Sequence, residues 1–269
     1  MLFARTRTPL SDAGGPFAAT RALRARRVVL VHGFTQTSAS WNGVADALVS
    51  RGLQVTTVDA PGHGASTAVR ADLWGGAAML ADAGGPATYV GYSMGARVCL
   101  HAALLGPESV KGLVLISGTA GIDDATERAE RRAGDERLAT DLERDGLAPF
   151  LERWLANPLF ATLPRSAWGL EARHTNTVAG LASSLRLAGT GTQDPPLWNR
   201  LGELARIPVL VMAGALDPKF VLLAQRLAGG IGPTAALDIV ENAGHSAHLE
   251  QPSRVIEAIY HFVMGNPSA

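Results

Sequence analysis

The sequence predicts an α/β fold: a mostly parallel central sheet, helices on both faces and a helical insertion in the second half of the chain. Three observations predict it. Short, wholly apolar runs of strand length recur along the chain, as a parallel sheet covered on both faces requires. Those runs alternate with segments of helical period, the pattern of βα units with crossover connections. One long stretch, 122–198, breaks the alternation and carries no convincing strand.

Taken in order, "RVVLVHG" (27–33) reads as a buried strand and "SWNGVADALVSRG" (40–52) as a helix stopped by glycine. "LQVTTVDAPGHG" (53–64) is a strand running into a loop, and "LWGGAAMLADAGG" (73–85) a weaker helix. "ATYVGYS" (87–93) is a strand, "MGARVCLHAALLG" (94–106) a helix and "VKGLVLISG" (110–118) a strand. The pattern returns at "IPVLVMAGALD" (207–217), then at a last strand in "ALDIVENAGH" (236–245), and a helix from about Pro252 completes the chain. The first 27 residues, rich in Arg, Ala, Gly and Pro, allow one edge strand or hairpin. The division is therefore a core of 1–121 and 199–269 and a helical cap of 122–198. An insertion at the carboxyl end of a strand sits over the face where α/β sheets bind ligands.

Composition narrows the function classes. The chain has 269 residues, 47% of them hydrophobic, enough for one domain with an inserted subdomain. Twenty-four basic and 24 acidic residues balance, so nothing points to nucleic acid or an anionic membrane surface. Lys111 and Lys219 are the only lysines, so nearly all positive charge is arginine, the better fork for carboxylates. Cys99 is the only cysteine, which excludes an intrachain disulfide; it reads as a small buried hydrophobe. There is no signal-peptide pattern and no apolar run approaching the roughly 18 residues of a membrane span. The expectation is a soluble, cytoplasmic protein, monomer or homodimer, acting on a small molecule.

The chemistry centres on Gly91, Ser93 and Gly95, a G-x-S-x-G between a predicted strand and a predicted helix. That context is what a strained strand-to-helix turn needs to present a serine hydroxyl at the sheet edge, near a helix N-terminus that favours negative charge. Serine needs a base, and the base an orienting group. Asp217 follows the strand "VLVMAGAL" and His245 follows "LDIVENAG", so both stand at carboxyl ends of later strands. His248 is the rival base; His101 and His261 lie on helices and read as structural, and His63 as a residue that holds loops together. An oxyanion would be met by the amides of Met94, next to the serine, and Phe34, in "HGF" after the first long strand.

Together, "HGF", "DAPGHG", "GYSMG", "GALD" and "NAGHSAHLEQP" resemble the α/β-hydrolase superfamily, in its order and over nearly the whole chain. A serine at position 93 argues against its haloalkane dehalogenase and epoxide hydrolase branches, which use aspartate there. The segment between "PGHG" and "GYSMG" is short for the superfamily, and the N-terminal stretch has no counterpart. Within the cap, "ERAERRAGDERLA", "FLERWLANPLFATL", "EARHTN" and "GLASSLRLAGTGTQDPPLW", followed by "LDPKF", are similar to the 2-succinyl-6-hydroxy-2,4-cyclohexadiene-1-carboxylate synthases of the menaquinone pathway. That resemblance implies an elimination in which the serine–histidine pair removes a proton and pyruvate leaves without an acyl-enzyme. It implies no cofactor and no metal. It also implies substrate contacts: Arg131 and Arg173 clamping carboxylates, Arg97 and Tyr92 beside the serine, Trp154 walling the pocket and Lys219 near Asp217.

Three readings stay open at this point. One is a carbon–oxygen lyase acting on a small polycarboxylate. Another is a carboxylic-ester hydrolase, esterase- or lipase-like, working through an acyl-enzyme on Ser93. The third is a catalytically silent small-ligand receptor. The discriminating feature is charge in the cap: two or three buried arginines would favour the first, because an ester pocket gains nothing from desolvating unpaired charge.

Overall fold

A computed structural model describes residues 1–9, 26–106 and 108–265. Seven strands form one sheet in the order β1-β3-β2-β4-β5-β6-β7. They are β1 (Ala4–Arg7), β2 (Arg27–Val31), β3 (Gln54–Val58), β4 (Ala87–Tyr92), β5 (Val110–Ile116), β6 (Val209–Gly214) and β7 (Ala235–Val240). Every pairing is parallel except β1 with β3. The N-terminal stretch thus supplies an edge strand; residues 10–25 lie outside the described residues.

The apolar runs are continuous because the sheet is covered twice. In β2, Val29 and Val31 join one core cluster with the helices α2 (Leu73–Gly84) and α3 (Met94–Leu105). Val28 and Leu30 point the other way, into a second cluster with α1 (Asn42–Ser50) and the final helix, Pro252–Met264. Period-2 alternation with both faces apolar leaves no polar position to betray a face. β7 departs from this rule. It is the sheet's other edge, and Ala236 and Leu237 are exposed.

Between β5 and β6 no strand occurs among the described residues. The chain forms α4 (Ala125–Asp145), α5 (Leu147–Leu155), α6 (Leu170–Arg173) and α7 (Val178–Ala188), with short 3-10 turns. Asp124 caps α4 by accepting from Glu127 N at 2.8 Å, and Thr177 caps α7 by accepting from Gly180 N at 3.1 Å. Of the 21 residues of α4 only Asp135, Ala139 and Leu142 are buried, so the helix depends on its neighbours. Ala139 and Leu142 pack with Phe150 of α5 and Leu181, Ala182 and Leu185 of α7, and Phe34 from the sheet edge joins that cluster. No helix among the described residues is long and apolar enough to cross a membrane.

Candidate active site

The turn after β4 is built for one residue. Ser93 takes φ 51° and ψ −107°, a conformation that is costly for a residue with a Cβ. Its backbone N–H is held by the Ile116 carbonyl at 2.9 Å. The flanking glycines are steric necessities: a Cβ on Gly91 would lie 2.4 Å from the Gly95 carbonyl oxygen, and one on Gly95 2.2 Å from that of Val31. Helix α3 can therefore start directly behind the serine.

Three strand ends converge there. With its proton on Nδ1, His245 donates to Asp217 Oδ2 at 2.9 Å and accepts from Ser93 Oγ at 3.0 Å through Nε2. Asp217 is also the N-cap of α8 (Pro218–Ile231), its Oδ1 accepting from Phe220 N at 3.3 Å. The Phe220 ring stands edge-on to His245, centroids 4.4 Å apart, and walls one side of the imidazole. Ser93, His245 and Asp217 are thus one hydrogen-bonded chain, with the latter two buried. The rival His248 is not part of it. It is buried against Tyr92 and Trp41, and neither ring nitrogen has a partner among the described residues. Burial first, then the neighbouring His245 and Arg173, pull its pKa down to about 3.

The amides of Met94 and Phe34 make no hydrogen bond among the described residues. The loop bearing Phe34 is braced from several sides. Gln36 Oε1 accepts from Gly33 N at 3.1 Å, His63 Nε2 accepts from Thr35 N at 3.3 Å, and Asn176 Nδ2 donates to the Thr35 carbonyl at 2.7 Å. Thr35 itself sits at φ 65°. His63 also donates from Nδ1 to the Pro61 carbonyl at 2.9 Å, so it ties two loops together; burial lowers its pKa to about 3. His101 packs against Trp74 and donates to the Arg97 carbonyl, Cys99 is buried, and His261 pairs with Glu257 on the last helix.

A cavity of about 360 Å³ opens above Ser93. Phe34, Tyr92, Ser93, Met94, Arg97, Arg131, Trp154, Arg173, Lys219 and His245 all line it; Asp217 stands behind His245. The arginines differ in kind. Arg173, 3% exposed, donates from Nε to the Trp168 carbonyl at 2.7 Å and from Nη1 to Thr35 Oγ1, but meets no carboxylate among the described residues. Burial pulls its pKa down to about 10, so it remains charged at neutral pH. Arg97, also buried, donates to the Ala188 carbonyl at 2.7 Å; burial, then Arg131, lower it to about 10, and Asp135 opposes them. Arg131 is half-exposed and donates from Nε to Asp135 Oδ1 at 2.9 Å. Among the described residues, the carboxylate that engages Arg131 is therefore Asp135.

Sequence reasoning missed Gln36, Asn176 and Phe220. Asn176 joins the helical segment between β5 and β6 to two loops at the sheet edge, because its Oδ1 also accepts from Gly64 N at 2.8 Å. It closes the "EARHTN" stretch already singled out for Arg173, and that spacing was the available signal. Among the described residues no group of three or more His, Cys, Asp and Glu side chains could hold a metal ion.

The alpha/beta hydrolase family model matches residues 28–258. A protein of Bacillus subtilis (strain 168) named putative 2-succinyl-6-hydroxy-2,4-cyclohexadiene-1-carboxylate synthase is 35% identical over 239 residues, 84% of this chain and 85% of that protein. The synthase of that name from Salmonella agona (strain SL483) is 33% identical over 86% of this chain and 91% of its own. Among solved structures, one described as MenH from S. aureus superposes with a TM-score of 0.83 at 27% identity, covering 98% of this chain and 99% of that one. A serine–histidine–aspartate arrangement under a cationic cavity, a family match over most of the chain and relatives that cover it nearly end to end agree: the chain belongs to the alpha/beta hydrolase family and is an enzyme of it.

Proposed function

We propose that this enzyme is a carbon–oxygen lyase of the 2-succinyl-6-hydroxy-2,4-cyclohexadiene-1-carboxylate synthase type, eliminating pyruvate from a small polycarboxylate. In this reading Ser93 Oγ, activated by His245 Nε2, abstracts a proton from a substrate carbon, and the proton comes to rest on His245. The C–H electron pair forms the new double bond, the C–O bond to the leaving group breaks, and pyruvate departs as its enolate and is protonated. Asp217 holds the imidazole in the right tautomer and stabilises its cation. The amides of Phe34 and Met94 are aimed where an oxyanion develops; one such donor is worth about 2.7–4 kcal/mol. No cofactor enters the scheme.

One observation carries the substrate class. Arg173 is a buried guanidinium with no carboxylate partner among the described residues, in the wall of the same cavity as Ser93. Desolvating an unpaired charge is expensive and is offset when an anion arrives. Arg97, Arg131 and Lys219 add positive charge around it, with Asp135 the only carboxylate in the lining among the described residues. The segment 122–198 acts as the cap that brings Arg131 and Arg173 to the serine.

Acyl transfer is the second reading, favoured by the aromatic wall of Phe34, Trp154 and Phe160 and by an oxyanion site that serves an ester equally well. The test is a comparison of kcat/KM for the pyruvate-releasing pathway precursor and for a series of p-nitrophenyl esters. Faster turnover of the polycarboxylate supports the lyase; faster turnover of the esters transfers the assignment to ester hydrolysis.

A further inference from the structure

His245 sits in a loop, and a loop alone does not hold an imidazole to the few tenths of an ångström that proton transfer needs. Asp217 fixes the ring's rotation through Nδ1 but says nothing about where the backbone of residue 245 stands. One brace of that backbone lies outside the triad and outside the cavity lining. Glu250 follows five residues later, in the short helical turn α9 (Ala247–Glu250). Its two carboxylate oxygens divide between the amides on either side of the histidine: Oε2 accepts from Gly244 N at 2.8 Å and Oε1 from Ser246 N at 3.0 Å.

The opposite edge of the loop is pinned independently. Ser117 Oγ donates to the His245 carbonyl at 2.8 Å, and Ser246 Oγ meets the Tyr92 hydroxyl at 2.8 Å. Close packing adds to this: a Cβ on Gly214 would lie 2.1 Å from the Gly244 carbonyl oxygen, so the loop lies directly on the end of β6, the strand that leads to Asp217. Two charge-assisted bonds to the amides that flank His245 fix both position and tilt of the intervening backbone, as one bond could not.

From this geometry we infer that Glu250 is a positioning residue for His245: it sets the imidazole's distance to Ser93 without touching substrate, and turnover depends on it through His245 alone. The inference rests on His245 serving as the base of Ser93 and is indifferent to which substrate is turned over.

The test uses a fluorophosphonate, which labels a serine only when its base is in place and is blind to substrate specificity. Glu250→Gln keeps the shape but puts an NH2 donor against one of the two amides. The expected result is a labelling rate on Ser93 at least tenfold below wild type, in a protein with native circular dichroism, and loss or shift of the low-field proton resonance of the His245–Asp217 hydrogen bond. In a His245→Ala background, Glu250→Gln should change the residual activity less than twofold, since nothing remains for it to position. Labelling within twofold of wild type would overturn the inference, as would an equal loss with and without His245. If Glu250→Gln does not fold, Glu250→Asp, which shortens the reach, is read by the same criteria. Wild-type protein that fails to label at all would instead count against the triad reading.

Discussion

The floor and the roof of the cavity are made by different rules. The floor carries Ser93, Asp217 and His245 at the ends of β4, β6 and β7, on a sheet whose two faces are packed with fully buried aliphatics such as Leu30, Leu113 and Leu115. The roof carries Arg131 and Arg173 on α4 and α6, where a few buried residues and a network of surface ion pairs hold the helices. Arg186, for example, reaches both Glu136 and Glu143. Strand ends fix a side chain to within a small error, which reaction geometry demands. A lightly cored helical roof tolerates change, and in the proposed reading the charge that selects a substrate can vary there without disturbing the base. The comparison separates what the enzyme does to a bond from which molecule it admits.

The largest expected effects lie in the floor. Ser93→Ala and His245→Ala should each lower kcat by about 10⁴–10⁶-fold and Asp217→Asn by about 10⁴-fold, and the losses should not add, because the three groups act as a unit. Steady-state kinetics on the single and double variants check this. Additive losses would mean that the groups act separately.

In the roof, Leu142→Ala should cost about 2–5 kcal/mol of local stability, since Leu142 is fully buried in the small cluster between α4, α5 and α7. Hydrogen exchange should accelerate across the roof helices while β2, β4 and β5 keep their protection. Uniform loss of protection would show that roof and floor unfold as one.

Arg131→Ala comes next. A charged hydrogen bond to a carboxylate is worth roughly 1.5–3 kcal/mol, so kcat/KM for a polycarboxylate should drop about ten- to a hundredfold, with little recovery by Arg131→Lys. Ester hydrolysis should stay within a few-fold. Arg173 is a less clean probe. Its bond to Thr35 braces the loop that presents the Phe34 amide, so Arg173→Ala should lower both activities, the polycarboxylate's more.

The smallest effect concerns acid stability. His248, His63 and His101 have folded pKa values of about 3, about 3 and about 4, below the ordinary 6.5. Below pH 6.5 the unfolded chain binds protons that the folded one refuses, so the stability present above pH 6.5 is lost as pH falls toward the folded values. Each histidine should contribute on the order of 2 kcal/mol of this loss between pH 6.5 and 5. His248→Phe, which keeps the ring stack on Tyr92 and Trp41, should flatten the fall of Tm with pH and leave kcat within a few-fold. An unchanged slope would contradict the burial argument; a collapse of kcat would make His248 the base.

The floor was legible in the sequence because its signals are local. An apolar run ending in Gly-Tyr-Ser-Met-Gly, another ending at Asp217 and a third at His245 carry position and chemistry in the same few residues. The edge character of β7 was less legible, since "ALDIV" reads as buried until its place in the strand order is known. The partners that no sequence pattern pairs were hidden. Asp135 was one of several acids that the sequence offers Arg131, and only the fold selects it by burying it there. Asn176 and Glu250 act by bonding to backbone amides and carbonyls, which have no signature of their own.

One measurement bears most directly on the separation of bond chemistry from substrate choice: the ratio of kcat/KM for the pyruvate-releasing polycarboxylate to that for its best p-nitrophenyl ester, in wild type and in Arg131→Ala. Sites built to pair a substrate's polar groups discriminate by about 10⁴–10⁵. The account predicts a wild-type ratio of about that order, falling ten- to a hundredfold in Arg131→Ala through the polycarboxylate alone. A wild-type ratio below one, unmoved by the substitution, would contradict it.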